Sequence, residues 1–452
     1  MMQKILLSLF LLSIPLMGFA QTQSITIEDA VNIALENNYQ LKQAANNLSL
    51  AETQVFSAKA DYLPSVNSSF NGSRNVGRQF IQEDLSFDDR TTYGMSGNLN
   101  ANLTIFDGFR NISNLRGAQA NKLSQEENLN RIREVIIFDT ASRFLQVAVD
   151  QELLKIAKAT LEASQSQLEQ IEAQVEVGSR PTVDLYNQEA TVANDELNLI
   201  QRENALSVSI AQLMRVMQDD AIEDIDIVMP AVDELSLVPQ QLDLRSLIDA
   251  ALNSRSDYAA QEYTIIDNEM NKRIARSALL PSLSASAGIS GRYSDQFIDP
   301  VTREVSSFGD QFFDQNVNRS IGLSLQIPLF NRWNNKTNIE SAKIQLKNSQ
   351  LQLDNIRFQI SEEVRQAYSD YLSLVKELES SERAVIAAER ALETEQQRYE
   401  VGATTLIELN LANANFVQAQ SNRIQAVYNF VFQEKLLDFY IGRLDNNLQF
   451  NF

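Results

Sequence analysis

The stretch Thr92–Phe106 reads TYGMSGNLNANLTIF and alternates between polar and apolar residues. Up to Thr104, one set of alternate positions carries only Thr, Gly, Ser and Asn, and the other carries mainly Leu, Ile, Met and Tyr. A period of two predicts a β-strand with one wet face and one apolar face. The pattern recurs at about residues 320–330 and, more weakly, at about 65–76 and 282–293. Each chain is therefore expected to contribute four strands.

The pattern alone leaves two interpretations open, a half-buried sheet of a soluble protein or part of a membrane β-barrel. The wet face of Thr92–Phe106 is small and uncharged, as expected of a lumen, and strands of about 10 residues can cross a bilayer. The linking segments Gln82–Arg90 and Ser294–Arg319 are long, polar and acidic, like extracellular loops. We therefore favour the barrel.

Four strands cannot close a barrel, because the smallest membrane barrels have about eight. Open strand edges in lipid would leave unpaired backbone groups, each costing several kcal/mol. A homo-oligomer is therefore required, and three copies related by cyclic symmetry would supply twelve strands.

The chain is a duplicated unit. Glu176-Val177-Gly178 recurs as Glu400-Val401-Gly402, and Leu63-Pro64-Ser65 recurs as Leu280-Pro281-Ser282. We divide the chain into a signal peptide (1–20), a first repeat (21–218), an acidic connector (219–241), a second repeat (242–441) and a C-terminal tail (442–452).

Each repeat is predicted to contain a helix, two strands and a long helical hairpin. The opening helices, Ile27–Tyr62 and Leu244–Leu279, end before a proline, as helices usually do. In the hairpins, apolar residues recur every seven positions, which predicts coiled-coil packing. They are Leu154, Leu161, Leu168 and Val175, then Leu185, Val192, Leu199, Leu206 and Leu213, and in the second copy Leu378, Val385, Leu392 and Tyr399. A helix from Arg110 to Gln174 would be about 100 Å long, which suits a tube better than a compact domain.

Composition restricts the compartment and the chemistry. Lys4, the apolar run Ile5–Met17 and Gly18-Phe19-Ala20 form a secretory signal. Because the chain has no cysteine and no histidine, it lacks the usual zinc ligands and the commonest general base. We therefore expect no metal site, no cofactor and no catalytic residue. The net charge of −21 argues against nucleic acid as a partner.

The sequence resembles the TolC-like outer-membrane efflux proteins. The resemblance covers nearly all of the mature chain, from the Leu-Pro-Ser entries to the strand exits Thr104–Gly108 and Ile327–Phe330 and the two Val-Gly hairpin tips. It implies a mainly α fold: a homotrimer with a twelve-stranded barrel in outer-membrane lipid and a twelve-helix periplasmic tunnel. It also implies a periplasmic adaptor and an inner-membrane transporter as partners of a passive exit duct.

The tips of the hairpins are expected at 177–182 and 401–405. Glycine at Gly178 and Gly402 suits the left-handed conformation that ends many helices. The resemblance implies in addition that these tips, with Val177 and Val401, contact the adaptor.

Glu408 lies where the family carries an acidic residue around the narrow tunnel entrance. Three such carboxylates around one axis would favour cations and raise one another's pKa. A second acidic position of the family pattern is Leu411 here, so a doubled ring is not expected. A solvated glutamate on a helix face is the alternative for Glu408.

Asp184 and Tyr399 match positions whose hydrogen bond helps to close the family's tip. Tyr399 also continues the heptad pattern, so packing in the core is the alternative. The family's basic residue near the second tip is Thr404 here, and Arg180 in the first tip is a possible substitute.

Two other functions would account for parts of this pattern. A secreted coiled-coil fibre or adhesin would explain the heptads but not the alternating strands. An enzyme on a membrane barrel is disfavoured because the chain offers no convincing pair of nucleophile and base.

Overall fold

The computed structural model describes residues 23–81, 86–218, 225–228, 239–299, 301 and 304–442. The signal peptide, most of the connector and nearly all of the C-terminal tail lie outside the described residues. The chain forms two compact units. Among the described residues, one unit contains those within 23–45, 128–257 and 356–442, and the other contains those within 46–127 and 258–355. Each unit takes segments from both sequence repeats.

The order of elements is the same in the two halves, except that the second half has a short helix and a π-helical turn between its two long strands. The first half contains β1 (Gln23–Ile25), α1 (Ile27–Asn37), α2 (Tyr39–Ala60), β2 (Ser65–Ile81), β3 (Ser86–Phe106), α3 (Arg110–Glu176) and α4 (Thr182–Met217). The second contains β4 (Ile225–Ile227), α5 (Leu244–Ser254), α6 (Ser256–Ser277), β5 (Ser282–Ser294), α7 (Phe308–Asp310) with a π-helical turn (Gln311–Gln315), β6 (Asn318–Gln326), α8 (Asn334–Glu400) and α9 (Leu406–Tyr440).

The opening helix of each repeat is interrupted, so the prediction of one continuous helix is wrong. Asn38 and Arg255 adopt extended backbone at the two breaks. The Asn38 side chain accepts hydrogen bonds from the backbone N–H groups of Gln40 (2.8 Å) and Leu41 (3.2 Å), which caps α2. At the second break, Arg255 is 3% exposed and forms ion pairs of 2.5 Å with Asp257 and Glu363.

Four antiparallel strands form one sheet in the order β2-β3-β5-β6. The first pair is longer than predicted, since β2 continues to Ile81 and β3 begins at Ser86, within the segment assigned to a loop. β6 is shorter than predicted and ends at Gln326, because Pro328 has no backbone N–H to donate a hydrogen bond to a neighbouring strand.

The pairing register places the predicted apolar positions on one face. Ser68, Leu99, Ile289 and Arg319 form a row across the four strands, and Phe70, Gly97 and Gly291 form the next row. β2 and β6 are the edges of this sheet, and every residue of β6 is exposed.

The connector contains an unpredicted strand. Within 219–241, β4 pairs in parallel with β1, with Ile25 opposite Ile227. Both side chains are buried, at 0% and 6% exposed. They join the core of the first unit together with Phe144 and Leu213.

The hairpin heptads contribute to helix packing, but not uniformly. Leu378, Leu392 and Tyr399 of the second copy are buried, as the pattern predicts. In α3 the predicted leucines are only half-buried, and the smaller Ala157 and Ser164 are buried instead. Small side chains allow neighbouring helices to approach closely.

Candidate functional site: the two hairpin tips

The first tip is a glycine-terminated helix end. Gly178 has φ 72°, and its N–H donates to the Val175 carbonyl at 2.9 Å. The N–H of Ser179 donates to the Gln174 carbonyl at 2.8 Å. This pair of bonds is the Schellman motif, which satisfies the last carbonyls of a helix. Val177, just before the turn, is 78% exposed.

The second tip repeats this geometry. Gly402 has φ 74°, its N–H donates to the Tyr399 carbonyl at 3.1 Å, and Ala403 donates to the Arg398 carbonyl at 2.7 Å. Val401 is 78% exposed. The prediction of a left-handed glycine at each tip is confirmed.

Replacing Gly178 or Gly402 by alanine should strain the turn without a steric clash. A Cβ at either position would meet no atom within 4 Å, so the cost is conformational, about 1 kcal/mol for an L-residue in this region. Denaturant unfolding of the purified protein measures it. Gly309→Ala is the matched control, because its Cβ would make only an ordinary contact of 3.8 Å. An equal effect at Gly309 would contradict this explanation.

Glu408 closes a capping box at the start of α9. Its Oε2 accepts hydrogen bonds from the Thr405 N–H (3.1 Å) and from the hydroxyl of Thr404. In return, the Thr405 hydroxyl accepts a hydrogen bond of 3.3 Å from the backbone N–H of Glu408. The Thr404 hydroxyl, followed by the Thr405 backbone, lowers the pKa of Glu408, so the exposed carboxylate stays charged to lower pH than an ordinary glutamate.

The first tip lacks this capping box. Its N-cap is Pro181, which makes no side-chain capping bond. Asp184, the counterpart of Glu408, instead forms an ion pair with Arg180, Nη1 to Oδ2 at 3.6 Å. The T-x-x-E signature of a capping box was readable at Thr405-Leu406-Ile407-Glu408, and the sequence interpretation missed it.

Arg180, Asp184 and Tyr399 form a cluster that we call the tip triad. The Arg180 guanidinium lies 4.1 Å from the centre of the Tyr399 ring, a cation–π contact, while it also pairs with Asp184. The hydrogen bond between Asp184 and Tyr399 that the resemblance implied is absent from the described residues, because Arg180 provides the contact with both. Thr404 is not part of the cluster and binds Glu408.

Tyr399 is a packed residue. It is 8% exposed and lies in an apolar cluster with Ile171, Leu392 and Leu406. Burial is the main cause of the raised pKa of its hydroxyl. The charge of Asp184 raises this pKa further, whereas the charge of Arg180 and the nearby Gln167 lower it. No described group makes a hydrogen bond of good geometry to that hydroxyl.

A buried amide cluster joins the two hairpins deeper in the same unit. Gln188 is 1% exposed and donates to the Ser164 carbonyl at 2.9 Å. Asn410 donates to the Gln188 Oε1 at 3.2 Å and to the Thr191 hydroxyl at 3.3 Å. A polar residue at a core position of a coiled coil commonly fixes the register of the helices. The sequence interpretation missed this cluster, although polar residues among the heptads could have indicated it.

Exposed apolar side chains surround both tips. Val183 and Ile407, which occupy equivalent positions in the two repeats, are 59% and 66% exposed. Together with Val177 and Val401 they give each tip a small apolar surface.

The described part of the chain holds no group of three or more Asp, Glu, His or Cys residues placed to bind a metal ion. Among the described residues, no helix combines the length and apolar character needed to cross a membrane.

Comparison with known proteins agrees with this architecture. The model of the family described as "Outer membrane efflux protein" matches residues 30–217 and 247–443, one segment in each repeat. The chain belongs to the outer membrane efflux protein family. It is therefore a passive exit duct located in the outer membrane, and it is not an enzyme.

Individual relatives are distant but nearly full-length. The chain is 22% identical over 406 residues to the outer membrane efflux protein BepC of Brucella suis, covering 90% of this chain and 83% of BepC. It is 24% identical to the cation efflux system protein CusC of Escherichia coli, over 85% of this chain and 78% of CusC. The crystal structure of the CmeC outer membrane channel of Campylobacter jejuni superposes with a TM-score of 0.78 at 16% identity, covering 93% and 87% of the two chains. The fibre or adhesin alternative finds no support in these relatives.

Proposed function

We propose that three copies of the chain form the duct and that each contributes its four-stranded sheet to one twelve-stranded barrel. The observation that carries this proposal is the pair of open edges: β2 and β6 have no further partner among the described strands. A β6 edge joined to a neighbour's β2 would continue the antiparallel order around the ring. The apolar face would then meet lipid, and the Ser, Asn and Gly face would line the lumen.

The helical hairpins of the three copies would assemble into a twelve-helix periplasmic tunnel. The exposed valines at the tips and their apolar neighbours support contact with the hairpins of a periplasmic adaptor. The adaptor would connect the duct to an inner-membrane transporter that supplies the energy. Relatives are named for cation efflux and for pyoverdine export, so one architecture serves unlike cargoes, and the tips rather than the lumen would select the pump.

Ion conductance of the purified protein in planar lipid bilayers tests the proposed function. A duct should give discrete, long-lived conductance steps at low protein concentration. Absence of any conductance from correctly folded trimers, both in the wild type and after Arg180→Gln, which removes the contacts within the tip triad, would contradict it.

We infer that Glu408 contributes one carboxylate per chain to the narrow entrance of the tunnel. Glu408→Ala should reduce the preference for cations over anions, because three negative charges are lost from one constriction. Glu408→Gln is the informative companion, since it keeps a side-chain oxygen for the cap and removes only the charge. Reversal potentials in a salt gradient measure the selectivity, and unchanged values in both variants would restrict Glu408 to capping.

The pH dependence of this selectivity should follow the lowered pKa of Glu408. A lowered pKa means that the carboxylate remains ionised as the pH falls through the ordinary range of glutamate, about 4.3. Cation preference should therefore persist at that pH and be lost only in stronger acid. Its loss above pH 5 would show that repulsion among the three carboxylates, which raises their pKa, outweighs the hydrogen bonds from Thr404 and Thr405 in the assembled entrance.

A further inference from the structure

The segment between β5 and β6 folds back onto the apolar face of the sheet. The ring of Phe312 lies against Gly97, and the Phe312 backbone lies against Gly291, which pairs with Gly97 across β3 and β5. A Cβ at Gly97 would come within 2.5 Å of the ring, and one at Gly291 within 2.3 Å of the Phe312 carbonyl oxygen. The two glycines thus form a notch that admits this helical turn.

Gln311 anchors the turn. It is 0% exposed, and its Oε1 accepts from the Ser294 N–H at 3.0 Å. Its Nε2 donates to the carbonyls of Ser294 (3.0 Å) and Ser306 (2.9 Å). The segment is therefore tied to the end of β5 and is not a loose loop, although the sequence predicts only a polar connection there.

A cavity of about 220 Å³ lies between this turn and the sheet. Most of its wall is apolar, formed by side chains that include Phe70, Leu99, Ile289, Phe312 and Val317. This volume is below the roughly 300 Å³ at which sites for whole small molecules begin. It suits a segment of an extended apolar chain.

One cation borders the cavity. Arg319 of β6 lies beside Ile289 in the row that crosses the apolar face and also lines the cavity. It is exposed, and among the described residues it forms no ion pair. An arginine on a lipid-facing surface is tolerated near the headgroups and costly at the middle of the bilayer, so its position marks the headgroup level.

We propose that this cavity binds one acyl chain of an outer-membrane lipid whose anionic headgroup pairs with Arg319. The proposal rests on the function proposed above, because it requires the apolar face of the sheet to meet lipid. Continuity of the cavity with that face and the complementary charge of Arg319 identify the occupant as an anionic lipid. Phe313, which is 72% exposed, would extend the wall into the interface, where aromatic residues are common.

The test uses a tryptophan reporter in lipid vesicles. Trp333 is the single tryptophan of the chain, so Trp333→Phe gives a silent background. Phe313→Trp then reports on the cavity, and Leu323→Trp, on the same face of β6 but outside the cavity, reports on ordinary lipid. Trimers are reconstituted into phosphatidylcholine vesicles containing a small fraction of phosphatidylglycerol with brominated acyl chains, which quench tryptophan on contact.

We expect the brominated anionic lipid to be enriched about fivefold at the Phe313→Trp reporter relative to the Leu323→Trp reporter. This factor corresponds to the attraction between one arginine and an anionic lipid surface. Arg319→Gln should remove the enrichment, and Arg319→Lys should retain most of it. Equal quenching at both reporters would overturn the lipid site while leaving the duct intact. In control vesicles made wholly of brominated lipid, quenching at neither reporter would show that the sheet does not face lipid, which would contradict the proposed function itself.

Discussion

Replacing Leu323 by arginine should eliminate assembled protein from the outer membrane. Leu323 is 72% exposed on the apolar face of β6, and an arginine near the middle of a lipid-facing strand costs about 2–4 kcal/mol. In the proposed trimer the penalty would apply to three copies, and the total would be comparable to the whole stability of many proteins. Heat-resistant trimers in outer-membrane fractions, separated by electrophoresis without boiling, measure the effect.

The neighbouring Ser324→Arg is the matched control. Ser324 is the next residue along the same strand and therefore points to the opposite, polar face. There an arginine would meet water in the lumen, so trimers should form in normal amount and conduct with a weaker preference for cations. Loss of trimers in both variants, or in neither, would contradict the assignment of the two faces.

Replacing Arg180 by glutamine should raise the open probability of the channel, since we propose that the tip triad holds the tip closed. The change removes the cation–π contact with Tyr399, worth about 0.5–2 kcal/mol, and an ion pair with Asp184 that contributes at most about 1 kcal/mol near the surface. If the tip triad holds the closed state, the opening equilibrium should shift about tenfold per chain, since about 1.4 kcal/mol corresponds to a factor of ten. Open probability in planar bilayers is the measurement.

Two further variants identify the interaction responsible. Tyr399→Phe keeps the ring and removes a hydroxyl that has no well-formed hydrogen bond within the described residues, so the channel should behave like the wild type. Arg180→Lys keeps the charge but not the planar guanidinium, and an intermediate open probability is expected. An Arg180→Gln channel as closed as the wild type would show that the triad does not gate.

The sheet was predictable because its signal is local and repeated. The alternation of Thr92–Phe106 fixes which residues share a face, and the duplicate near Ser320 shows that the pattern is not accidental. The bends at Asn38 and Arg255 could not be read in the same way. A helix pattern continues through both positions, and the break at Arg255 is accompanied by an ion pair with Glu363, which is distant in sequence.

The tips were predictable in part. Glycine after valine indicates a left-handed helix end from sequence alone, and both tips have it. The sequence offered Arg180 as a substitute for the family's basic residue, and its ion pair with Asp184, four residues away, agrees with that interpretation. The family pairing of Asp184 with Tyr399 is not found, because Arg180 contacts both side chains. The pairing of β1 with β4 also depends on contacts between residues that are distant in sequence.

Disulfide trapping between chains tests the central claim, that β6 of one copy pairs with β2 of the next, most directly. The chain has no cysteine, so introduced cysteines are its only thiols. Ser324→Cys on β6 can be combined in turn with one cysteine on the polar face of β2, at Asn67, Ser69 or Asn71. At least one combination should give a covalently closed trimer in denaturing electrophoresis without reductant, whereas single-cysteine variants can give only dimers. Dimers alone, or no cross-linked product from any combination in membranes that contain the protein, would contradict the trimeric barrel.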